Sequence, residues 1–600
     1  MHDRSLPLVR DSWPQLTTIL IIGLALSAVI VTWGFCLGEP IHLVWGRYFA
    51  EQLWSGDLYP RWLMDMNSGL GSPTFYFYGP VAFYVSSLFH AFVPATDLGW
   101  PAIGLSASVA LAVSGFAAFV WLRDIAGRNG ALAGALTYML LPYHLEIDIL
   151  DRFAFGEAWG LAWLPLVLAG AHRCTLGDKR AVPLLAFAYA LLVLSHLPST
   201  LLFSAVPVFY VFFMAPRGEM KRAVMLVVAG MFAGGMLSAV YLLPAMTTQH
   251  YASVGAQVSG YFSYAQHYLF TNAPFDVPGK TQAFIDYALA FRSAVNRAAR
   301  VTLGILLGGY LVTLLIVRAE RSGKLHSKTG PRSIDPLRFA SFWLAVAVAA
   351  VFMMSPSSVV IWRALPMLQQ VQFPWRINIV LVCAAAAVVA TAGALLIEHA
   401  VGLRKNDGQR PARVIVLPMV LAIGVLALLG SQLVSAARTL SELHAVGRNV
   451  PPQILVIDYE GARPNTFRRE FFTQEVMQHL GESLPRVSIA QGTGTVEVVG
   501  WHPRKIVLAV DARTDMQLVV KQLYYPGWTA HSRTDDVVLP VAPADPIALV
   551  SLHVPPGKRE IVVSLDASTV ERAGEIVSAV ALVAIVLVAW RNRRSVPKPR

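Results

Sequence analysis

Runs of roughly 17 to 25 predominantly apolar residues recur along the chain, the length a helix needs to cross the hydrocarbon core of a bilayer. They fall at Leu16–Cys36, Pro101–Leu122, Asn129–Leu141, Trp159–Ala171, Val182–His196, Leu197–Met214, Ala223–Pro244, Val301–Val317, Phe339–Met354, Ile377–Glu398, Val414–Val434 and Glu575–Trp590, the shortest of them extending into their flanks. The pattern predicts about twelve transmembrane helices. The first run follows Arg4 and Arg10, is too long for a signal-peptide core and has no clear small-residue cleavage site, so it reads as a retained span with a cytoplasmic N-terminus. One more apolar segment, Phe75–Val93, reads as an interfacial or re-entrant helix on the outer side, its Tyr76, Tyr78 and Tyr84 suiting a membrane-interface belt.

Between the runs lie three long outer stretches, 37–100, 245–300 and 435–572, and a shorter one at 142–158. The third long stretch changes period. Thr495–Val499, Ile506–Val510, Gln517–Val520, Ala548–Ser551 and Glu560–Ser564 alternate apolar and polar residues, and Pro526-Gly527 and Pro555-Pro556-Gly557 punctuate them as turns. The expected architecture is a mainly α, polytopic membrane domain over 1–434, an extracytoplasmic domain over 435–572 containing a β-sandwich, with helices and loops in its first part, and a last span with a basic tail over 573–600.

Composition agrees with a membrane class: 55% of residues are hydrophobic and 14% charged, far from the roughly quarter-charged makeup of soluble domains. The net charge of +12 is largely explained by topology, because Lys and Arg collect in the loops that an inside N-terminus makes cytoplasmic. These loops hold Arg123 and Arg128, then Arg173, Lys179 and Arg180, then Arg217, Lys221 and Arg222, the stretch from Arg318 to Arg338, Arg404 to Arg413, and the tail from Arg591. No nucleic-acid partner is needed, since the basic residues are not interleaved with aromatics as single-strand binding requires. Cys36, Cys174 and Cys383 show no pairing or metal spacing.

The chemistry-capable residues fall in the outer loops. Glu39-Pro40 reads as a helix start, leading a helix through His42, Trp45, Arg47 and Glu51 to Gly56. Glu39 beside His42 and Arg47 could act as a general base or simply cap the helix. In the second outer loop, an α-helix would put His144, Asp148 and Asp151 on one face with Arg152 beside them, either as a site or as a solvated face with an Asp148–Arg152 ion pair. Glu39, Asp148 and Asp151 could together hold a divalent cation such as Mg or Mn. At outer span ends, Arg376 beside Trp375 could bind a lipid phosphate or snorkel to headgroups, and His196 reads as a packing histidine.

Glu39-Pro-Ile-His42, Gly56-Asp-Leu-Tyr-Pro-Arg-Trp62, Gly69-Leu-Gly-Ser-Pro73, Phe77-Tyr-Gly-Pro80, Tyr143-His144, Asp151-Arg152, Glu157, Ser195-His-Leu-Pro198 and Phe373-Pro-Trp-Arg376 resemble the bacterial membrane family labelled "6-pyruvoyl-tetrahydropterin synthase-related". The wider layout resembles the GT-C superfamily of membrane glycosyltransferases, and Tyr524-Tyr-Pro-Gly-Trp528 is similar to the outer domain of YfhO-like proteins. The pterin in the label has no counterpart here, as no zinc-binding histidine cluster is present in the sequence. GT-C enzymes generally carry Asp where this chain offers Glu39. The resemblance implies transfer of a sugar from a polyprenyl-phosphate carrier to a glycan, lipid or protein acceptor on the outer face of the bacterial inner membrane, for cell-envelope glycan biogenesis. It implies Glu39, Asp148 or Asp151 as the base, Arg376 with Arg47 or Arg61 on the carrier phosphate, and His42, His144, Arg152, Glu157 and His196 around the substrate. The rival classes are a lipid-linked substrate transporter or flippase and a non-catalytic envelope-assembly protein.

Overall fold

The computed structural model describes residues 12–33, 41–92, 100–251, 258–323, 325, 334–403, 412–447 and 484–594. Among these, eight helices are long and apolar enough to cross a membrane, and Trp13–Ala28, Val81–His90 and Ala239–Thr248 are shorter apolar helices. Of the dozen expected runs, the pair Pro101–Leu122 and Asn129–Leu141 counts here as one helix, and those at Leu16–Cys36, Trp159–Ala171 and Val182–His196 are not among the eight. The run expected over Val182–His196 ends as a helix at Val193, and that over Ala223–Pro244 divides into Met220–Leu237 and Ala239–Thr248.

Trp100–Leu140 is continuous helix except at Gly127, whose φ of 66° and ψ of −178° only glycine adopts cheaply. Leu122 lies against Gly134 and Met139 against Gly115, so the two limbs run antiparallel and Gly127 is the tip of a hairpin. Against this hairpin packs Asn378–Leu403, the centre of the bundle. Its residues Ile379 to Val388 are all buried, as a helix that is apolar on every side must be, and its alanines allow close approach of neighbouring backbones. By contrast, Val416–Arg438 exposes Leu417, Val420, Ile423 and Leu426. The helix that contains it, Ala412–Gly447, continues beyond Val434, where the apolar run ends. Residues 448–483, expected as helices and loops, lie outside the described residues.

The C-terminal sheets are formed by β1 (Val487–Gln491), β2 (Gly494–His502), β3 (Lys505–Ala512), β4 (Met516–Leu523), β5 (Trp528–Ser532), β6 (Val537–Leu539), β7 (Val541–Ala544), β8 (Leu549–Val554) and β9 (Gly557–Leu565). Their orders are β1-β4-β8-β7 and β2-β3-β9-β5-β6, with all neighbours antiparallel. Period-2 alternation sends Ile506, Leu508 and Val510 of β3, Met516, Leu518 and Val520 of β4, and Ile561, Val563 and Leu565 of β9 into one core.

That core is completed from the other end of the sequence. Trp62, Met64, Leu70 and Tyr76 of the first outer loop belong to it. The Leu523 amide donates to the Leu70 carbonyl at 2.7 Å. Gln522, fully buried at the end of β4, accepts from Trp62 Nε1 at 2.7 Å and donates to the carbonyls of Met64 and Gly69 at 3.0 and 2.8 Å. Gly71 explains the glycine in this motif twice over: its φ is +84°, and a Cβ there would stand 2.5 Å from Trp62 Nε1 and 2.6 Å from Gln522 Oε1. Beside this seam, Glu571 at the start of Thr569–Arg594 lies 3.2 Å from both Arg61 Nη1 and Arg504 Nη1 and accepts from the Tyr76 hydroxyl at 3.1 Å. Residues 61–76, the sheets and the start of the last helix pack together.

Candidate functional site

The hairpin's second limb runs into Tyr143–Asp151, which is wound as a π-helix rather than the α-helix whose spacing aligned His144, Asp148 and Asp151. Bonds of the i→i+5 kind widen each turn by about one residue, so a spacing of three no longer returns to the same face and Asp151 turns away from Asp148. Asp148 is fully buried, whereas Asp151 is half-buried. Asp148 keeps the expected i,i+4 partner Arg152, 3.3 Å away.

Arg152 joins a second acid. Glu157 sits in the first turn of Phe155–Thr175, where a carboxylate meets the positive end of the helix dipole. Its Oε2 is 3.1 Å from Arg152 Nη1 and 3.4 Å from Arg376 Nε, while Tyr143 donates its hydroxyl to Oε1 at 2.6 Å. Two arginines, Asp148, Glu157 and Tyr143 thus converge where three helical elements meet.

Aromatic rings support the arginines from beneath. Phe373 and Trp375 stack with centroids 5.0 Å apart and planes 18° apart. Arg376 Cζ lies 4.8 Å from the Phe373 ring and Arg152 Cζ 4.6 Å from the Trp375 ring, and Arg376 Nη1 also donates to the Val371 carbonyl at 2.8 Å. Exposure decides the sign of what this cluster shows. The Arg152 and Arg376 side chains are 10% and 12% exposed, whereas those of Asp148 and Glu157 are 0% exposed. An incoming group therefore meets arginine side chains, not carboxylate oxygens, although the cluster's formal charges balance. Planar guanidiniums fixed by rings and counter-ions suit a phosphate.

The other predicted residues divide. His42 is buried against Trp45, Phe83 and Phe155 in the helix Ile41–Trp54. Burial first, and then the charge of Arg152, push its imidazole down to about 3, so it is neutral beside the cluster. His144 is fully buried, its Nδ1 3.0 Å from the Tyr138 carbonyl. His196 caps Leu197–Phe203: its Nδ1 accepts from the Ser199 amide at 3.3 Å and lies 2.7 Å from Ser199 Oγ. Two arginines stand elsewhere. Arg47 is half exposed and paired with Glu51 at 2.9 Å. Arg61 is buried on Glu571, with Glu575 at 3.6 Å and the Val240 carbonyl at 3.0 Å, which fixes the outer loop to the last helix. Glu39 lies outside the described residues. Among the described residues no three His, Cys, Asp or Glu side chains gather as a metal site, and the proposed metal trio includes Glu39.

Glu146 is a further buried acid of this region that the sequence motifs do not single out. It lies 2.8 Å from Arg297 Nη2 and accepts from Ser435 Oγ at 3.0 Å, tying the π-helix to Gln282–Arg321 and Ala412–Gly447. The available signal was an acid flanked by Leu145 and Ile147. Tyr143, Phe373 and Trp375 stood in the motifs without an assigned contact.

No family model and no curated protein matches the chain. Among solved structures it is similar to the arabinofuranosyltransferase AftD from Mycobacteria, with 16% identity, 70% of this chain and 27% of that chain covered, and a TM-score of 0.39. ArnT from Cupriavidus metallidurans, bound to undecaprenyl phosphate, gives 14% identity, 74% and 77% coverage and a TM-score of 0.37. The Archaeoglobus fulgidus oligosaccharyltransferase tethered to an acceptor peptide gives 16%, 71% and 55%, and 0.35. The chain spans about a quarter of the length of AftD. At identities and scores this low, the likeness establishes neither a fold nor a function.

Proposed function

We propose that the chain is a GT-C-type membrane glycosyltransferase that moves a sugar from a polyprenyl-phosphate donor to an extracytoplasmic acceptor in cell-envelope glycan biogenesis. The observation that carries this reading is the pair of ring-supported guanidiniums, Arg152 and Arg376, whose side chains keep a small exposure while those of their counter-ions have none.

In this mechanism the donor phosphate sits on the two guanidiniums. A base takes the proton from the acceptor hydroxyl as its oxygen attacks the anomeric carbon. The bond from that carbon to the phosphate oxygen breaks, its electron pair leaves with the carrier phosphate, and the guanidiniums stabilise the developing charge. Glu157 holds both arginines in place, and Tyr143 holds Glu157. Asp148 is engaged with Arg152 and sealed, so Asp151 and Glu39 remain the candidates for the base. Arg61 and Arg47 leave the phosphate-binding set, as their partners are Glu571 and Glu51. A divalent cation, if used, would need Glu39.

The test compares glycolipids and surface polysaccharides, by mass spectrometry, in a deletion strain complemented with wild type or Arg376→Gln. Loss of one glycoconjugate in the deletion strain, restored by wild type and not by an equally abundant variant, is the expected result. Profiles unchanged by the deletion would remove the enzyme reading.

A further inference from the structure

Between Asp335 and Glu398 the sequence contains no acidic residue. In the middle of this interval, the span Pro336–Met354 ends at Ser355 and the chain turns through Pro356–Ser358 into the short helices Val359–Ala364 and Pro366–Gln369. This connection leads directly to Phe373, Trp375 and Arg376.

Its side chains divide sharply. Trp362 is fully buried, stacked on Tyr264 at 5.5 Å and 12°, and donates its indole N–H to the Met353 carbonyl at 3.0 Å. Ser358 Oγ donates to the same carbonyl at 3.0 Å, and Gln369 Nε2 to the Trp362 carbonyl at 3.1 Å. On the opposite side Val360 is 71%, Leu365 50% and Met367 65% exposed, with Arg363 exposed among them. A segment pinned from beneath by a buried tryptophan does not show such residues by fraying. Large apolar side chains together with a lone cation and no acid make a face suited to a lipid surface rather than to water. The span immediately before it in the chain also exposes apolar residues, Val348 and Phe352, four residues apart and so on one face of that helix.

We propose that residues 356–370 lie in the headgroup layer of the outer leaflet, with Val360, Leu365 and Met367 among the upper acyl chains and Arg363 on lipid phosphates. A substrate anchored in that leaflet then reaches Arg376 across this segment, a consequence that rests on the function proposed above. The occupant is the bilayer, because the segment follows directly in the chain on an apolar helix long enough to span a membrane, exposes large apolar side chains as that helix does, and carries a positive residue as its only charge.

The test uses the full-length protein in liposomes of mixed zwitterionic and anionic phospholipid, with Cys36, Cys174 and Cys383 replaced by alanine. A nitroxide is placed in turn at Met367→Cys, at Phe232→Cys on a span's exposed face and at Val538→Cys on an exposed strand. Phe232 and Val538 are 69% and 73% exposed, so access to the protein surface is matched. The expected ratio of collision with oxygen to collision with an aqueous nickel complex at Met367 is severalfold above that at Val538 and below that at Phe232, which lies near the middle of its span. A ratio equal to that at Val538 overturns the docking. For the substrate path, Leu365→Asp is expected to raise KM for a long-chain polyprenyl-phosphate sugar about tenfold, a change worth about 1.4 kcal/mol. It should leave KM for a water-soluble short-chain donor unchanged. An unchanged long-chain KM overturns the path. The label reads docking whether or not the chain transfers sugar, so failure of this inference is distinct from failure of the proposed function.

Discussion

Replacing Glu571 with glutamine should loosen the seam between the first outer loop and the C-terminal sheets. The carboxylate is 2% exposed and faces two guanidiniums at 3.2 Å, of which that of Arg61 is 4% exposed. The amide keeps the shape but removes the charge, leaving two cations together, with Glu575 at 3.6 Å from Arg61. Removing one partner from a buried ion pair costs about 3–5 kcal/mol. If local opening carries that cost, the Leu523 amide, which donates to Leu70 at 2.7 Å across the seam, should exchange its hydrogen roughly 150-fold to several-thousand-fold faster. Hydrogen–deuterium exchange in detergent reads this amide without assuming two-state unfolding of the whole chain. The control is Glu575→Gln, whose side chain is half exposed and whose pair is worth at most about 1 kcal/mol, so it should accelerate exchange less than about sixfold. Equal rates in wild type and Glu571→Gln, or equal acceleration by the two variants, would refute the buried-network reasoning.

Three further outcomes are expected. Gly71→Ala forces a β-carbon onto Trp62 and Gln522 at a φ of +84°, so trypsin should cleave the 484–565 region faster than in wild type, and an unchanged digestion pattern counts against the seam. Tyr143→Phe removes a 2.6 Å bond to a buried carboxylate, worth about 1.5–3 kcal/mol, and should lower transfer about 10–100-fold at unchanged expression. The His42 imidazole is held at about 3 against an unfolded value of 6.5, so between those pH values the unfolded chain binds more protons and stability rises with pH. His42→Gln should therefore flatten the rise of the thermal midpoint between pH 5 and about 6.5, and an unaltered slope would contradict the burial argument.

How far the sequence revealed this depends on the range of each interaction. Spans and strands were legible because the bilayer and the pleat impose periods of fixed length on neighbouring residues, as in Asn378–Leu403 and β3. The Gly127 reversal was legible as the gap between two runs. The π-winding of Tyr143–Asp151 was not, since its residues would fit an α-helix equally well and tertiary packing decides between them. Arg61 illustrates the larger gap. Its partner Glu571 lies at the far end of the chain, so beside an outer loop the arginine read as a phosphate ligand, although it serves as a buried tie. Arg152, Glu157 and Arg376 were each named from the sequence, but their common meeting point depends on three elements distant in the chain and on the Phe373–Trp375 stack beneath them.

The central claim is that Arg152 and Arg376 receive a carrier phosphate, and equilibrium binding of polyprenyl phosphate to the full-length protein in nanodiscs tests it most directly. Arg376→Gln removes one charged, ring-supported donor while leaving Arg152 on Glu157, and should weaken binding about 10–100-fold relative to wild type. Equal affinity for the two proteins would contradict the account.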